Sequence, residues 1–155
     1  MERKVSDLIK EGDVLSVNCC NQEELYLFLY QELKVRNMVN DTFLDALKKR
    51  EKEFPTGICC NPYNIALPHV DSEHVKTNAL VLCKLENEIS FYRMDKVEDV
   101  TNVKMVFMLL IKEKDEHVKA LMNLTKIWRN NELMLKLLEC NSKEDAIALI
   151  DAYTV

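Results

Sequence analysis

The sequence predicts an α/β (α+β) fold: a single-domain sandwich of helices around a mixed parallel/antiparallel β-sheet. Three observations predict it. Residues 21–54 carry apolar side chains at helical spacing, residues 65–111 break into short apolar runs of strand length, and helical spacing returns after Asp115. The chain has 155 residues, 48% of them hydrophobic and 30% charged, which suits one domain over residues 1–155, large enough for a real hydrophobic core. With two glycines and three prolines, long flexible linkers are not expected.

Each element has a local reason. A weak early strand is placed at Val14–Val17. Asn21 is a cap for a helix through QEELYLFLYQELKVRN, whose Leu25, Phe28, Leu29 and Leu33 form one stripe. Asp41 is expected to cap TFLDALKKREKEF, which ends before Pro55 because a residue preceding proline avoids the helical region. Its apolar stripe is Phe43, Leu47 and Phe54, with Arg50 filling a gap in it. A loop through Thr56, Gly57 and Pro62 leads to a strand at Ile65–Leu67. Further strands are read at 79–85, 88–91 and 104–111, the last nearly all apolar and therefore central. Asp115 is expected to cap EHVKALMNLTKIWRN, with Val118, Leu121, Met122, Thr125 and Trp128 on its inner face. Residues 132–138 continue as helix, and Ser142 caps a last helix to about Tyr153.

Composition narrows the functional classes. The formal net charge is −5 with acids and bases interspersed, whereas nucleic-acid binding usually needs a basic stripe. MERKVSDLIKEGD lacks the apolar core of a secretory signal, and no apolar run approaches the ~20 residues that span a bilayer. A cytoplasmic location without membrane insertion is expected. The six cysteines, including the neighbours Cys19–Cys20 and Cys59–Cys60, are read as reduced thiols acting mainly as small buried hydrophobes.

The chemistry-bearing candidates are few. His69 follows Pro68 at the end of a strand, where a fixed backbone would hold an imidazole rigidly; a structural histidine is the competing reading. His74 lies at an odd offset from His69, a poor spacing for joint chelation, and is read as a surface residue. His117 falls in a first helical turn, where the helix dipole favours a neutral ring and an anion nearby. Arg50 offers a planar fork suited to a phosphoryl group, or else pairs with Glu24, Glu51 or Glu53.

One combination is specific. REKEFPTG, Arg50 to Gly57, followed by IALPH, Ile65 to His69, resembles the fructose/mannitol-type enzyme IIA (type 2) of the bacterial phosphoenolpyruvate:sugar phosphotransferase system, closest to galactitol-type IIA proteins. The resemblance extends over nearly the whole chain and implies the mannitol-IIA-like fold. It implies that His69 carries the phosphoryl group on Nε2, and that Arg50 and the second histidine, His117, stabilise it. Glu51, Thr56 and Pro68 are supporting residues, Thr56 ordering the pocket from the Pro-Thr-Gly turn. Tyr63 and Asn64 depart from the family's commoner small residue and glycine, and Leu67 and Val70 also differ from the commonest neighbours.

The resemblance implies a phosphoryl carrier with no metal and no cofactor. Phosphate would come from phosphoenolpyruvate through enzyme I and HPr, then pass to a IIB cysteine and indirectly serve a membrane IIC component. A monomer is expected, since the site must be open to successive partners. Three competing readings remain: a regulatory IIA-like domain controlling transcription or nitrogen and potassium responses, a metal- or redox-binding module built on His69, His74 and the cysteine pairs, and a plain interaction domain in which His69 is inert.

Overall fold

The computed structural model describes residues 4–154. Its centre is a five-stranded sheet made of β1 (Asp13–Val17), β2 (Gly57–Ile58), β3 (Asn64–Ala66), β4 (Ala79–Tyr92) and β5 (Val100–Leu110), in the order β1-β4-β5-β3-β2. β1 runs parallel to β4 and β3 parallel to β5, while β4–β5 and β2–β3 are antiparallel, so the sheet is mixed as expected. Six α-helices surround it: α1 (Val5–Glu11), α2 (Gln22–Val35), α3 (Phe43–Glu53), α4 (Lys114–Trp128), α5 (Asn131–Glu139) and α6 (Lys143–Tyr153).

The period-2 geometry of the central strands creates two cores. On β5, Val106, Met108 and Leu110 face α2 and α3, whereas Met105, Phe107 and Leu109 face α1, α4, α5 and α6. β4 does the same with Val81 and Cys83 against Leu80 and Leu82. A strand covered on both faces must read as a continuous apolar run, and that is why residues 105–111 look as they do. Fully burying a side chain such as Phe107 or Leu109 contributes ~1.5–3 kcal/mol.

Two helix starts form as their sequences dictate. Asn21 accepts from the Glu24 N–H at 2.9 Å, and Ser142 accepts from the Asp145 N–H at 3.2 Å. Others differ. Asp41 caps nothing; it forms an ion pair with Lys34 at 2.6 Å, and Thr42 is the residue before α3, with helical backbone angles and no capping bond. Asp115 lies inside α4, which starts one residue earlier. The inner face of α4 is Ala120, Leu124 and Ile127, while Val118 and Met122 are both 62% exposed. Phe54 falls just outside α3 and is also exposed rather than part of its inner stripe.

The strands are longer than the apolar runs that signal them. Residues 79–85 and 88–91 belong to one strand, β4, whose pairing with β5 shifts between Lys84 and Ile89; the exposed Glu86, Asn87 and Glu88 mark that irregularity rather than a turn. α1 and the short β2 are additions to the expected elements. α1 shows one turn-and-a-half of apolar pattern through Val5, Leu8 and Ile9, too little for periodicity to speak. The thiols divide: Cys19, Cys83 and Cys140 are core residues as expected, Cys60 is half-buried, and Cys20 and Cys59 are exposed and depart from the reading as mainly buried hydrophobes.

Gly57 has a packing reason for lacking a side chain. A Cβ there would stand 2.7 Å from the Tyr92 carbonyl oxygen and 3.0 Å from the Phe91 Cβ. Gly57→Ala is expected to cost about 1–3 kcal/mol of stability in urea unfolding, because neither backbone nor the buried ring can retreat freely. A loss below about 0.5 kcal/mol would show that β2 is more pliable than this contact implies.

Candidate active site

β3 ends at Ala66, and the next residues are held from two sides. The Leu67 N–H donates to the Thr56 carbonyl at 3.2 Å, and the Leu109 N–H donates to the Pro68 carbonyl at 3.3 Å. Pro68 is buried and its ring restricts Leu67 to extended geometry. His69 therefore leaves the carboxyl end of β3 from a backbone with little freedom, half-buried beneath the surface.

The imidazole is oriented by one short bond. His69 Nδ1 lies 2.8 Å from the Leu67 carbonyl oxygen, which can only accept, so Nδ1 carries the proton. Nε2 is left with its lone pair. That atom faces Arg50, whose Nη2 is 3.5 Å away. The Arg50 guanidinium also approaches Asp71 at 3.7 Å through Nη1 and lies 4.8 Å from the centre of the Phe54 ring. The His117 ring centroid is 5.1 Å from that of His69, tilted by 51°.

Burial and charge bias both rings toward the neutral form. Burial is the main cause holding His69 below the usual 6.5; His117, when protonated, and the Arg50 guanidinium add to it, and the Leu67 carbonyl and Asp71 oppose it. His117 is depressed by burial first and then by Arg50, against Asp71. A neutral imidazole with a free Nε2 lone pair is a ready nucleophile that needs no base. A planar cation and a second ring beside it can meet the oxygens of an incoming anionic group.

Behind this face sits a support made by the residue next to Arg50. Glu51 is buried and accepts two bonds from Thr56, one from its N–H at 2.8 Å and one from its hydroxyl at 2.7 Å. Burial raises the Glu51 carboxyl above its usual 4.5, and the Thr56 bonds offset part of that. The Tyr26 hydroxyl is buried near the same carboxylate without a hydrogen-bond partner in good geometry. Glu51 and Tyr26 border a cleft of about 270 Å³ between α2 and α3, with Lys48 and Tyr92 among its other walls.

The structure thus brings His69, Arg50 and His117 together, with Glu51, Thr56 and Pro68 beneath them. It does not bring His74, whose Nδ1 is 2.8 Å from the Thr42 hydroxyl and whose Nε2 is 3.7 Å from Glu73. Arg50 does not pair with Glu24, Glu51 or Glu53; Glu51 turns inward and Asp71 takes the guanidinium. Asp71 and Phe54 are members of the site that sequence reasoning misses. The one signal for Asp71 is its place two residues after His69, and for Phe54 its place before Pro55. Among the described residues, no three histidine, cysteine, aspartate or glutamate side chains converge as a metal site would require.

Comparison with known proteins places the chain in a family. Residues 8–153 match the family described as "Phosphoenolpyruvate-dependent sugar phosphotransferase system, EIIA 2". The galactitol-specific EIIA component of Escherichia coli K12 is 31% identical over 105 residues, which is 68% of this chain and 69% of that protein. The solution structure of the mannitol-specific cryptic enzyme IIA CmtB from E. coli superposes with a TM-score of 0.71 at 19% identity, covering 96% of this chain and 98% of that one. The complex of enzyme IIAMTL and phosphorylated enzyme IIBMTL from E. coli contains a chain with a TM-score of 0.68 at 18% identity, covering 90% of this chain and 94% of that one. At these identities the two structures speak for the fold.

The depressed histidines have a measurable consequence. The unfolded chain binds protons near pH 6.5 more readily than the native site does, so the native state gains from these rings above pH 6.5 and loses that gain as the pH falls through their lowered native values. In an NMR titration, His69 and His117 are expected to protonate below pH 6.5. In urea unfolding, His69→Gln is expected to lose less stability than wild type between pH 7.5 and pH 5. Midpoints above 6.5 would contradict the burial and charge argument.

Proposed function

The chain belongs to the EIIA 2 family of the phosphoenolpyruvate-dependent sugar phosphotransferase system, and we propose that it carries the phosphoryl group on Nε2 of His69. One observation supports this atom above all: Nδ1 is occupied by the Leu67 carbonyl at 2.8 Å, while Nε2 faces Arg50. In the first step the His69 Nε2 lone pair attacks phosphorus on phospho-HPr, a new N–P bond forms, and the N–P bond to HPr breaks with its electron pair returning to the HPr imidazole. In the second step a IIB cysteine thiolate attacks the same phosphorus, an S–P bond forms, and Nε2 leaves with its electron pair.

Arg50 and His117 are the proposed stabilisers of charge on the phosphoryl oxygens in both steps. The transfer uses no metal or organic cofactor; phosphate comes from phosphoenolpyruvate through enzyme I and HPr. Both partners dock over one site, one after the other, which favours a monomer with residues 1–155 as a single domain. Exposed Val118 and Met122, one turn apart on α4 next to His117, and exposed Phe54 beneath Arg50 supply apolar surface for transient docking.

Among the described residues, no helix is long and apolar enough to cross a membrane. A cytoplasmic site of action accords with the proposed partners, with a IIC component receiving the phosphate only indirectly. Galactitol is the proposed sugar class, supported by the 31% identical relative, and that relative also favours transport over a purely regulatory role. A panel of IIB proteins offered to the phosphorylated chain would separate the two, since a regulator discharges to none of them.

Incubated with phosphoenolpyruvate, enzyme I and HPr, the protein is expected to gain one acid-labile phosphoryl group, and His69→Ala none. His117→Ala is expected to accept phosphate yet discharge to IIB about 10- to 100-fold more slowly. Normal labelling of His69→Ala would overturn the assignment.

A further inference from the structure

Three contacts in series connect the His69 ring to a buried carboxylate. Glu51 Oε1 and Oε2 take the hydroxyl and N–H of Thr56 at 2.7 and 2.8 Å. The Thr56 carbonyl takes the Leu67 N–H at 3.2 Å, and the Leu67 carbonyl takes the His69 Nδ1–H at 2.8 Å. Every group in this series except the ring belongs to a buried residue: Glu51 is 7% exposed, Thr56 1% and Leu67 1%. Thr56 has no helix to stabilise it, and it lies between Pro55 and the two-residue strand β2. The Glu51 carboxylate is what meets both its N–H and its hydroxyl. Adjacent residues of α3 therefore act on opposite sides of one imidazole, Arg50 at Nε2 and Glu51, through Thr56 and Leu67, at Nδ1.

We propose that Glu51 is a positioning residue that sets the His69 tautomer, by holding Thr56 and hence Leu67 where the Leu67 carbonyl captures Nδ1–H. A buried carboxylate is costly to keep unless its bonds are needed, and here both of its oxygens bind one residue with no side chain at the reaction centre. If the Thr56 segment were free to shift, the Leu67 carbonyl would lose its alignment with the ring. The proton could then move to Nε2, the atom that must attack. The inference rests on the carrier reading only for its kinetic part; the tautomer itself requires no phosphoryl donor.

The test uses the full chain labelled with 15N at histidine, with the two ring-nitrogen shifts of His69 read at pH 7.5. Wild type is expected to show the Nδ1–H tautomer. Glu51→Leu, close in volume but without acceptors, and Thr56→Val, without the hydroxyl, are expected to show averaged shifts from mixed tautomers. Both are expected to accept phosphate from phospho-HPr about 10- to 100-fold more slowly, with KM for phospho-HPr little changed. Glu51→Gln is expected to retain most of the Nδ1–H tautomer, because its amide oxygen still accepts and the Thr56 hydroxyl can turn to accept from its NH2.

Wild-type ring shifts in Glu51→Leu would overturn the proposal, and so would shifts in Glu51→Gln as mixed as those of Glu51→Leu. Should Glu51→Leu fail to fold, unchanged shifts in Thr56→Val would overturn it equally. A wild-type protein with the expected tautomer that takes no phosphate from phospho-HPr would sink the carrier reading and leave this one standing.

Discussion

A single hydrogen bond organises the site: His69 Nδ1–H to the carbonyl of Leu67, at 2.8 Å. An imidazole has two nitrogens of nearly equal basicity, and a protein that wants one of them to react must occupy the other. The carbonyl that does this belongs to a peptide bond with Pro68, and the flanking groups are tied to Thr56 on one side and Leu109 of β5 on the other. The sheet is therefore not only a core. Its third strand stops where hydrogen bonds still hold two more residues, Leu67 and Pro68, and the ring projects from the residue that follows them.

Neutrality of the ring and attraction for an anion pull in opposite directions, and the structure reconciles them by geometry. Arg50 at Nε2 and His117 beside the ring lower the proton affinity of His69 and would attract phosphoryl oxygens. Asp71 tempers both effects by partly satisfying Arg50 from an exposed position. Phe54 gives the guanidinium a flat surface to lie against. A site that bound phosphate as tightly as possible would be a poor relay, so partial satisfaction of its cation fits a group that must arrive and leave.

Legibility in the sequence tracks the range of each interaction. Asn21 and Ser142 announce their helices because a cap bonds three residues away. The apolar run of β5 announces a strand buried on both faces. His69 is visible because Pro68 precedes it, and its joining with Arg50 and His117 is implied by resemblance rather than by spacing. Asp41 misleads because its real partner, Lys34, lies on the preceding helix, and the polar residues 86–88 mislead because a strand irregularity and a turn look alike. The Asp71 pairing with Arg50 is a tertiary fact. The bond that chooses the tautomer spans only two residues, but its acceptor is a backbone carbonyl that every residue carries. No local pattern states which nitrogen a carbonyl will reach.

The most direct measurement is the position of phosphorus on the ring. Nitrogen-15 spectra of the phosphorylated chain, with phosphorus coupling resolved, distinguish attachment at Nε2 from attachment at Nδ1. Attachment at Nε2 of His69 is the result the account predicts. Phosphorus at Nδ1, or on His117 instead, would mean that the Leu67 carbonyl does not govern the ring and would contradict the account at its root.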